Sequence, residues 1–205
     1  MKTMNRGELF IVSGPSGSGK DTILCEVFKK YPQIKLSISS VTREMRSGEK
    51  QGEKYNFISR EEFEKLITDD ALLEHNVFVG NYYGTPKAPV EQALNAGVDV
   101  ILEIDVNGAA QVRKKMPDAV SIFIMPPSFE VLKSRLSARG TENEELVEKR
   151  MNSALKEIER AGEYDYIVVN DTLSKAVEDI ISIILSDKLK TKKQKHIINE
   201  VLGKC

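Results

Sequence analysis

An α/β fold built around a central parallel sheet, with helices on both faces, is what the 205-residue sequence predicts. Two observations carry the prediction. Short apolar runs of strand length alternate with segments of helical periodicity, and a glycine-rich turn joins the first apolar run to the first helical segment. Parallel strands covered by helices on both sides read as such unbroken apolar runs, so three layers are expected.

Taken in order, Leu9-Phe10-Ile11-Val12 is the first buried strand, and Lys20–Lys30 carries Ile23, Leu24, Val27 and Phe28 at helical spacing. Further buried strands are expected at Ile34–Ser39, Val98–Ile104, Ala119–Met125 and Tyr166–Val169. Helices are expected at Pro86–Ala96, Asn107–Met116 and Ser128–Arg139, with a long one beginning near Leu173. Two stretches break the alternation. Ser37–Gly84 is rich in Ser, Thr, Arg, Gly and Tyr, with short strand candidates and one helix opened by the capping box Ser59-x-x-Glu62. Pro126–Asp165 is crowded with Arg, Glu and Lys and contains a second capping box, Thr141-x-x-Glu144. The division that follows is a core of residues 1–36, 85–125 and 166–205, a binding lobe of residues 37–84 and a helical lid of residues 126–165.

Composition excludes several classes. Charged residues make up 30% and hydrophobic ones 40%, the balance of a globular chain and not of a disordered one. A formal net charge of -1 offers no polyanion-binding surface, which argues against a nucleic-acid partner. Phosphate recognition must then come from locally placed cations. No apolar run has the length of a membrane span or signal core, and Cys25 and Cys205 fit no metal-ligand spacing; two reduced thiols and a cytoplasmic location are expected. The lysines Lys188, Lys190, Lys192, Lys193 and Lys195 read as a solvated helix end.

The turn after the first strand is Gly14-Pro15-Ser16-Gly17-Ser18-Gly19-Lys20. Between a strand and a helix this is a P-loop, so the sheet is that of a P-loop three-layer fold. Its glycines let backbone N–H groups converge on a phosphate, the helix adds its positive end, and Lys20 supplies a point charge for the β- and γ-phosphates of ATP. Asp21 stands where a hydroxyl usually serves Mg²⁺, with Thr22 one place later. A carboxylate beside a triphosphate repels it unless a cation lies between. Three readings stay open: Asp21 holds Mg²⁺ through water, ATP and another carboxylate hold it, or Asp21 only complements the helix dipole.

A P-loop alone specifies a nucleoside triphosphate and no acceptor. The acceptor signal begins at Ser39-Ser40-Val41-Thr42-Arg43-Glu44-Met45-Arg46-Ser47-Gly48-Glu49, where two arginines three apart suit a second phosphate group. Then come Tyr55-Asn56-Phe57, Glu74, Gly80-Asn81-Tyr82-Tyr83-Gly84-Thr85, Ile101-Leu-Glu-Ile-Asp105, Ala138-Arg-Gly140-Thr-Glu and Val168-Val-Asn-Asp171. In this order, from Glu8 to about Leu185, the blocks resemble those of guanylate kinases.

The resemblance implies transfer of the γ-phosphate of ATP to GMP, and to dGMP, with Mg²⁺ as the cofactor. It implies that Arg43, Arg46, Tyr55 and Tyr83 hold the GMP phosphate and that Ser39, Glu74, Thr85 and Asp105 read the base. The chemistry agrees: a carboxylate accepts from guanine N1–H and its amine together, whereas adenine N1 presents a lone pair. Without the resemblance, Glu74 reads as a surface acid and the tyrosines as amphipathic core. Asn170 is implied at the adenine of ATP, and Arg135, Arg139 and Arg150 in a lid over the transferring group. The plainer reading of these arginines is a helix surface paired with Glu130 and Glu148. Glu103, ending a buried strand, is a candidate Mg²⁺ partner through water.

Other classes fit less well. A GTPase requires an Asn-Lys-x-Asp, which Val168-Val-Asn-Asp171 is not, and adenylate or thymidylate kinases lack the Ser-Ser-x-Thr-Arg-x-x-Arg block. A guanylate-kinase-like phosphopeptide-binding module loses parts of the phosphate cradle, all of which stand here.

Overall fold

The computed structural model describes residues 6–137 and 144–203. The first half of the chain forms β1 (Leu9–Ser13), α1 (Lys20–Lys30), β2 (Ile34–Leu36), β3 (Ser39–Val41), β4 (Tyr55–Phe57), α2 (Arg60–Thr68), β5 (Leu72–Phe78) and β6 (Asn81–Pro86). There follow α3 (Lys87–Asn95), β7 (Asp99–Glu103), α4 (Val106–Lys115) and β8 (Val120–Met125). The last elements are α5 (Phe129–Ser137), α6 (Glu144–Glu159), β9 (Tyr166–Val169), α7 (Leu173–Lys188) and α8 (Lys195–Val201). Arg139 and the Thr141 half of the second expected capping box lie outside the described residues.

Five parallel strands form the main sheet in the order β2-β7-β1-β8-β9. Successive side chains of β1 point to opposite faces. Phe10 and Val12 join Ile23, Leu24 and Val27 of α1 and Ile180 and Ile184 of α7 on one side. Leu9 and Ile11 join Val90 and Leu94 of α3 and Val112 of α4 on the other. Every residue of β1 is therefore buried, which is why the run is apolar throughout. The open end of β1, between these layers, is where the glycine-rich turn emerges.

A second sheet, in the order β4-β3-β6-β5, is built from the stretch Ser39–Pro86. Its β5–β6 hairpin turns at Val79 and Gly80, with φ of 48° and 76°, the pair of positive angles a tight hairpin of this kind requires. The capping box of α2 forms in both halves: Ser59 Oγ accepts from Glu62 N at 3.1 Å and Glu62 Oε2 from Ser59 N at 2.7 Å.

Two expectations need correction. The run Ile34–Ser39 is not one strand: β2 ends at Leu36, Ser37 N donates to Ile101 O, and the chain crosses into the second sheet at Ser39. Apolar pattern alone does not show that neighbouring residues belong to different sheets. The C-terminal lysines are not merely solvated. Lys188 pairs with Asp99 at 2.5 Å, Lys190 with Asp187 at 2.5 Å, and Lys193 with both Glu8 at 2.5 Å and Asp187. Asp187 and Asp99 are buried, so the segment after α7 is tied to the edge where β1 and β7 begin. Among the described residues no helix is long and apolar enough to cross a membrane.

Candidate active site

The phosphate cradle grows directly out of β1. Gly19 caps α1 with φ of 88° in the left-handed region, and a Cβ there would meet Asn170 Nδ2 at 2.3 Å. No side chain caps this helix, which leaves its first N–H groups available to an anion. Lys20 folds back over the loop and donates to Gly14 O at 2.5 Å and Pro15 O at 3.4 Å. Burial pulls its pKa down, and Glu103 opposes the fall. Pro15, Ser16, Gly17, Asp21 and Thr22 share the wall of this cleft. Ser18 is buried beneath it, its carbonyl accepting from Asn170 Nδ2 at 2.7 Å. Asn170 thus stands at the end of β9 beside the cradle, and with Thr22 and Arg135 it borders a smaller cleft on the far side of Gly19.

A cleft of ≈730 Å³ opens next to the cradle. Ser39, Arg43, Arg46, Tyr55, Glu74, Tyr83 and Asp105 all line it, so the structure brings together side chains up to 66 residues apart, from Ser39 to Asp105. Arg43 packs over the Tyr55 ring at 5.1 Å, and both its terminal nitrogens donate to Glu49 at 2.6 Å. That fork holds the Glu49 carboxyl down at about 2, with help from the Arg46 backbone N–H. Glu49 also aims Arg43, a role for which the sequence gives only its place in the arginine block.

Glu74 is 5% exposed. Burial pushes its carboxyl up to about 7, against the Thr85 hydroxyl, which donates to Oε1 at 2.7 Å. Thr85 is itself buried, with its hydroxyl on Glu74, whose carboxylate borders the cleft. Room for the carboxylate comes from Gly108 in the first turn of α4, where a Cβ would stand 2.7 Å from Glu74 Oε2. Asp105 caps that helix: Oδ1 accepts from Asn107 N and Gly108 N, and Oδ2 accepts from Asn76 Nδ2 at 2.7 Å. Its carboxylate faces the cleft with both oxygens already engaged, so Asn76 is a polar group of the site that sequence reasoning missed.

The two clefts share Tyr55, Phe78, Glu103, Asp105 and Glu157. At this junction Lys54 bridges Asp21 and Glu103, the latter at 3.0 Å. Asp21 therefore does more than complement a helix end. Among the described residues no group of three or more His, Cys, Asp or Glu could hold a metal. Two hard carboxylates beside a phosphate cradle nevertheless suit Mg²⁺, which is typically held by one or two carboxylates together with substrate phosphates.

From α6, Arg150 Nη2 donates to Ser16 Oγ at 2.8 Å, and from α5, Arg135 Nη2 donates to Asn170 O at 3.2 Å. Arg139 lies outside the described residues. Helix α5 rests on the cradle through Leu132 and Leu136, whose methyl groups come within 3.2 Å of a Cβ built on Gly17. Glu157, Lys156 and Arg160 of α6 and the turn after it reach the ≈730 Å³ cleft without having been anticipated. Arg160 Nη1 donates to Asn107 Oδ1 at 2.7 Å. Their spacing on a charged helix looks like any solvated face, so no sequence signal marks them.

A glycine-rich cradle and a second anion-gripping cleft, opening into each other on a parallel α/β sheet, characterise the P-loop nucleotide phosphotransferases. The family model described as Guanylate kinase matches residues 6–187. This chain belongs to the guanylate kinase family. It is 48% identical over 197 residues to the guanylate kinase of Desulfitobacterium hafniense (strain Y51), covering 96% of this chain and 98% of that one. Against the guanylate kinase of Carboxydothermus hydrogenoformans it is 50% identical over 190 residues, covering 93% of each. The crystal structure of guanylate kinase from Anaplasma phagocytophilum matches with a TM-score of 0.79 at 31% identity, covering 98% of this chain and 97% of that one.

Proposed function

We propose that this protein transfers the γ-phosphate of ATP to GMP, and to dGMP, reversibly, giving ADP and the nucleoside diphosphate for purine nucleotide metabolism. The observation that carries the reading is the shared wall of the two clefts. Tyr55, Glu103 and Asp105 border both, which supports a donor phosphate at Lys20 facing an acceptor phosphate at Arg43.

In this reading Gly14–Lys20 and Thr22 hold the triphosphate, Asn170 and Arg135 flank the adenosine, and Arg43, Arg46, Tyr55 and Tyr83 hold the GMP phosphate. Glu74 accepts from guanine N1–H and its amine, with Thr85 fixing the carboxylate and Ser39 and Asp105 beside it. The acceptor oxygen already belongs to a phosphate, so no general base is required. Positioning and charge neutralisation supply the catalysis. Arg150 moves from Ser16 onto the transferring group, joined by Arg135 and Arg139, and an arginine so placed is worth roughly 10³–10⁵ in rate. Mg²⁺, when bound with ATP, neutralises β- and γ-phosphate charge, and Asp21 and Glu103 are the residues that would hold it, through water. Closure of the α5–α6 lid keeps water from intercepting the phosphoryl group. The place of action is the cytoplasm, a reading supported by the exposed, unpaired Cys25.

An ADP-release assay with GMP, dGMP, AMP, UMP and TMP as acceptors tests this. ADP release with GMP and dGMP alone is expected. No release with GMP would overturn the proposal and leave a phosphate-binding module.

A further inference from the structure

Lys54 precedes β4 in the inserted lobe, yet its ammonium sits on the core. It pairs with Asp21 in the first turn of α1 and with Glu103 at the end of β7, at 3.0 Å. Glu103 is the more enclosed partner, its side chain 13% exposed against 72% for Asp21. Partial burial works against the charge on Lys54, but Glu103 and Asp21 outweigh it and hold the ammonium protonated above its ordinary range. Without this cation the two carboxylates would keep the field of Lys20 but lose the ammonium that contacts both of them, beside a site built for a triphosphate.

The chain around Lys54 connects that cation to the acceptor cleft. Its carbonyl accepts from Ser39 N at 3.3 Å, and the next residue is Tyr55, whose ring carries Arg43 and borders both clefts. Lys54 thus ties the segment that leads into Tyr55 to Asp21 and Glu103 beside the cradle. The same oxygens, Asp21 Oδ1 and Glu103 Oε2, are the hard donors a divalent cation would use.

We propose that Lys54 is a positioning residue of the acceptor site and that it competes with a divalent cation for Asp21 and Glu103. A cation bound directly by this pair displaces the ammonium and with it the strand that carries Tyr55. Direct binding of a cation by this pair and the setting of the acceptor lobe are thereby exclusive, whereas a cation held through water leaves Lys54 in place. The site P-loop proteins usually give to a hydroxyl is here given to an acid together with its own lysine.

The inference draws on the ATP and GMP reading for its consequence, but its direct test does not depend on turnover. Mn²⁺ binding to the nucleotide-free protein is measured by electron paramagnetic resonance for the wild type, Lys54→Met, Lys54→Gln and Lys54→Arg. Removing a unit charge at contact distance from the pair is expected to tighten Mn²⁺ binding by about tenfold or more in the Met and Gln variants. Lys54→Arg should stay with the wild type, and adding Glu103→Gln to Lys54→Gln should abolish the gain. In steady state, Lys54→Gln should raise KM for GMP several-fold with a smaller change in kcat, and Lys54→Arg should recover most of it. Equal Mn²⁺ affinity in all variants, or an unchanged KM for GMP, overturns the proposal. Tighter Mn²⁺ binding in a protein that does not phosphorylate GMP would instead refute the assigned reaction and leave the competition standing.

Discussion

Thr85 donates its hydroxyl to Glu74 Oε1 across 2.7 Å, and the two are joined again across the β5–β6 ladder, where they are register partners. One carboxylate oxygen is thereby committed to the protein, and the carboxyl group as a whole is nearly sealed from water. Such a group is costly to ionise and well placed to recognise something.

That cost has a sign. The folded pKa of about 7 exceeds the ordinary 4.5, so protonation of Glu74 stabilises the fold fully below about pH 4.5. The contribution is lost as pH rises through about 7, by up to ~3 kcal/mol. Glu74→Gln removes the titration, and its Tm should rise relative to wild type between pH 5 and pH 8. The same variant should lose GMP use by roughly 10²-fold or more while ATP binding is unchanged. A Tm difference that is flat with pH, or near-normal GMP kinetics, contradicts this assignment.

Wild-type kcat/KM for GMP should fall on the acid side of about pH 7, because the protonated carboxyl cannot accept both guanine hydrogens. Saturating GMP should shift the fall to lower pH in kcat, since bound guanine favours the ionised form. A kcat/KM profile level from pH 8 to pH 5.5 would show that another group reads the base.

Gly108→Ala separates folding from recognition. Alanine in place of glycine favours a helix by about 1 kcal/mol, but its Cβ would enter at 2.7 Å from Glu74 Oε2. The carboxylate must then swing out of line. Tm should stay within about 2 °C of the wild type, while KM for GMP rises about tenfold or more and KM for ATP does not move. Calorimetric GMP titration checks it directly.

Arg150→Met should leave the melting curve intact and lower kcat by roughly 10³. The hydrogen bond to Ser16 is exposed, and an exposed contact of this kind contributes little to stability. A kcat within a few-fold of wild type would reduce Arg150 to a surface residue.

At the opposite end of the sheet, Asp187→Ala leaves Lys193, whose side chain is only 15% exposed, with one partner fewer. Breaking an enclosed ion pair in this way should cost on the order of 2–4 kcal/mol, seen as a lower Tm in urea or thermal unfolding. Kinetics per folded molecule should be unchanged, because the segment is remote from both clefts.

How much of this was legible beforehand depended on distance along the chain. The cradle is contiguous, so Gly14–Lys20 announced itself, and the Ser59–Glu62 capping box needed only three residues. Lys54 and Asp21 lie 33 residues apart, and Arg150 and Ser16 lie 134 apart. No periodicity links such pairs. Periodicity shows which face a side chain occupies and not which partner it meets, so the tail lysines looked solvated and nothing singled out Lys54. Glu74 was reachable only through a family resemblance, since an acid in a short strand carries no mark of burial. Gly108 was hidden differently: its importance lies in Glu74, which folding brings from the second sheet onto the first turn of α4.

The order of strands also sets a timetable for folding. The β5–β6 hairpin closes over two residues and can zip up alone, a matter of microseconds. The central strand β1 has no such local partner: Leu9 waits for Val100 and Phe10 for Val120. Closing those long loops before any pairing is gained is slow. The strand that ends in the phosphate cradle is therefore among the last to find its place.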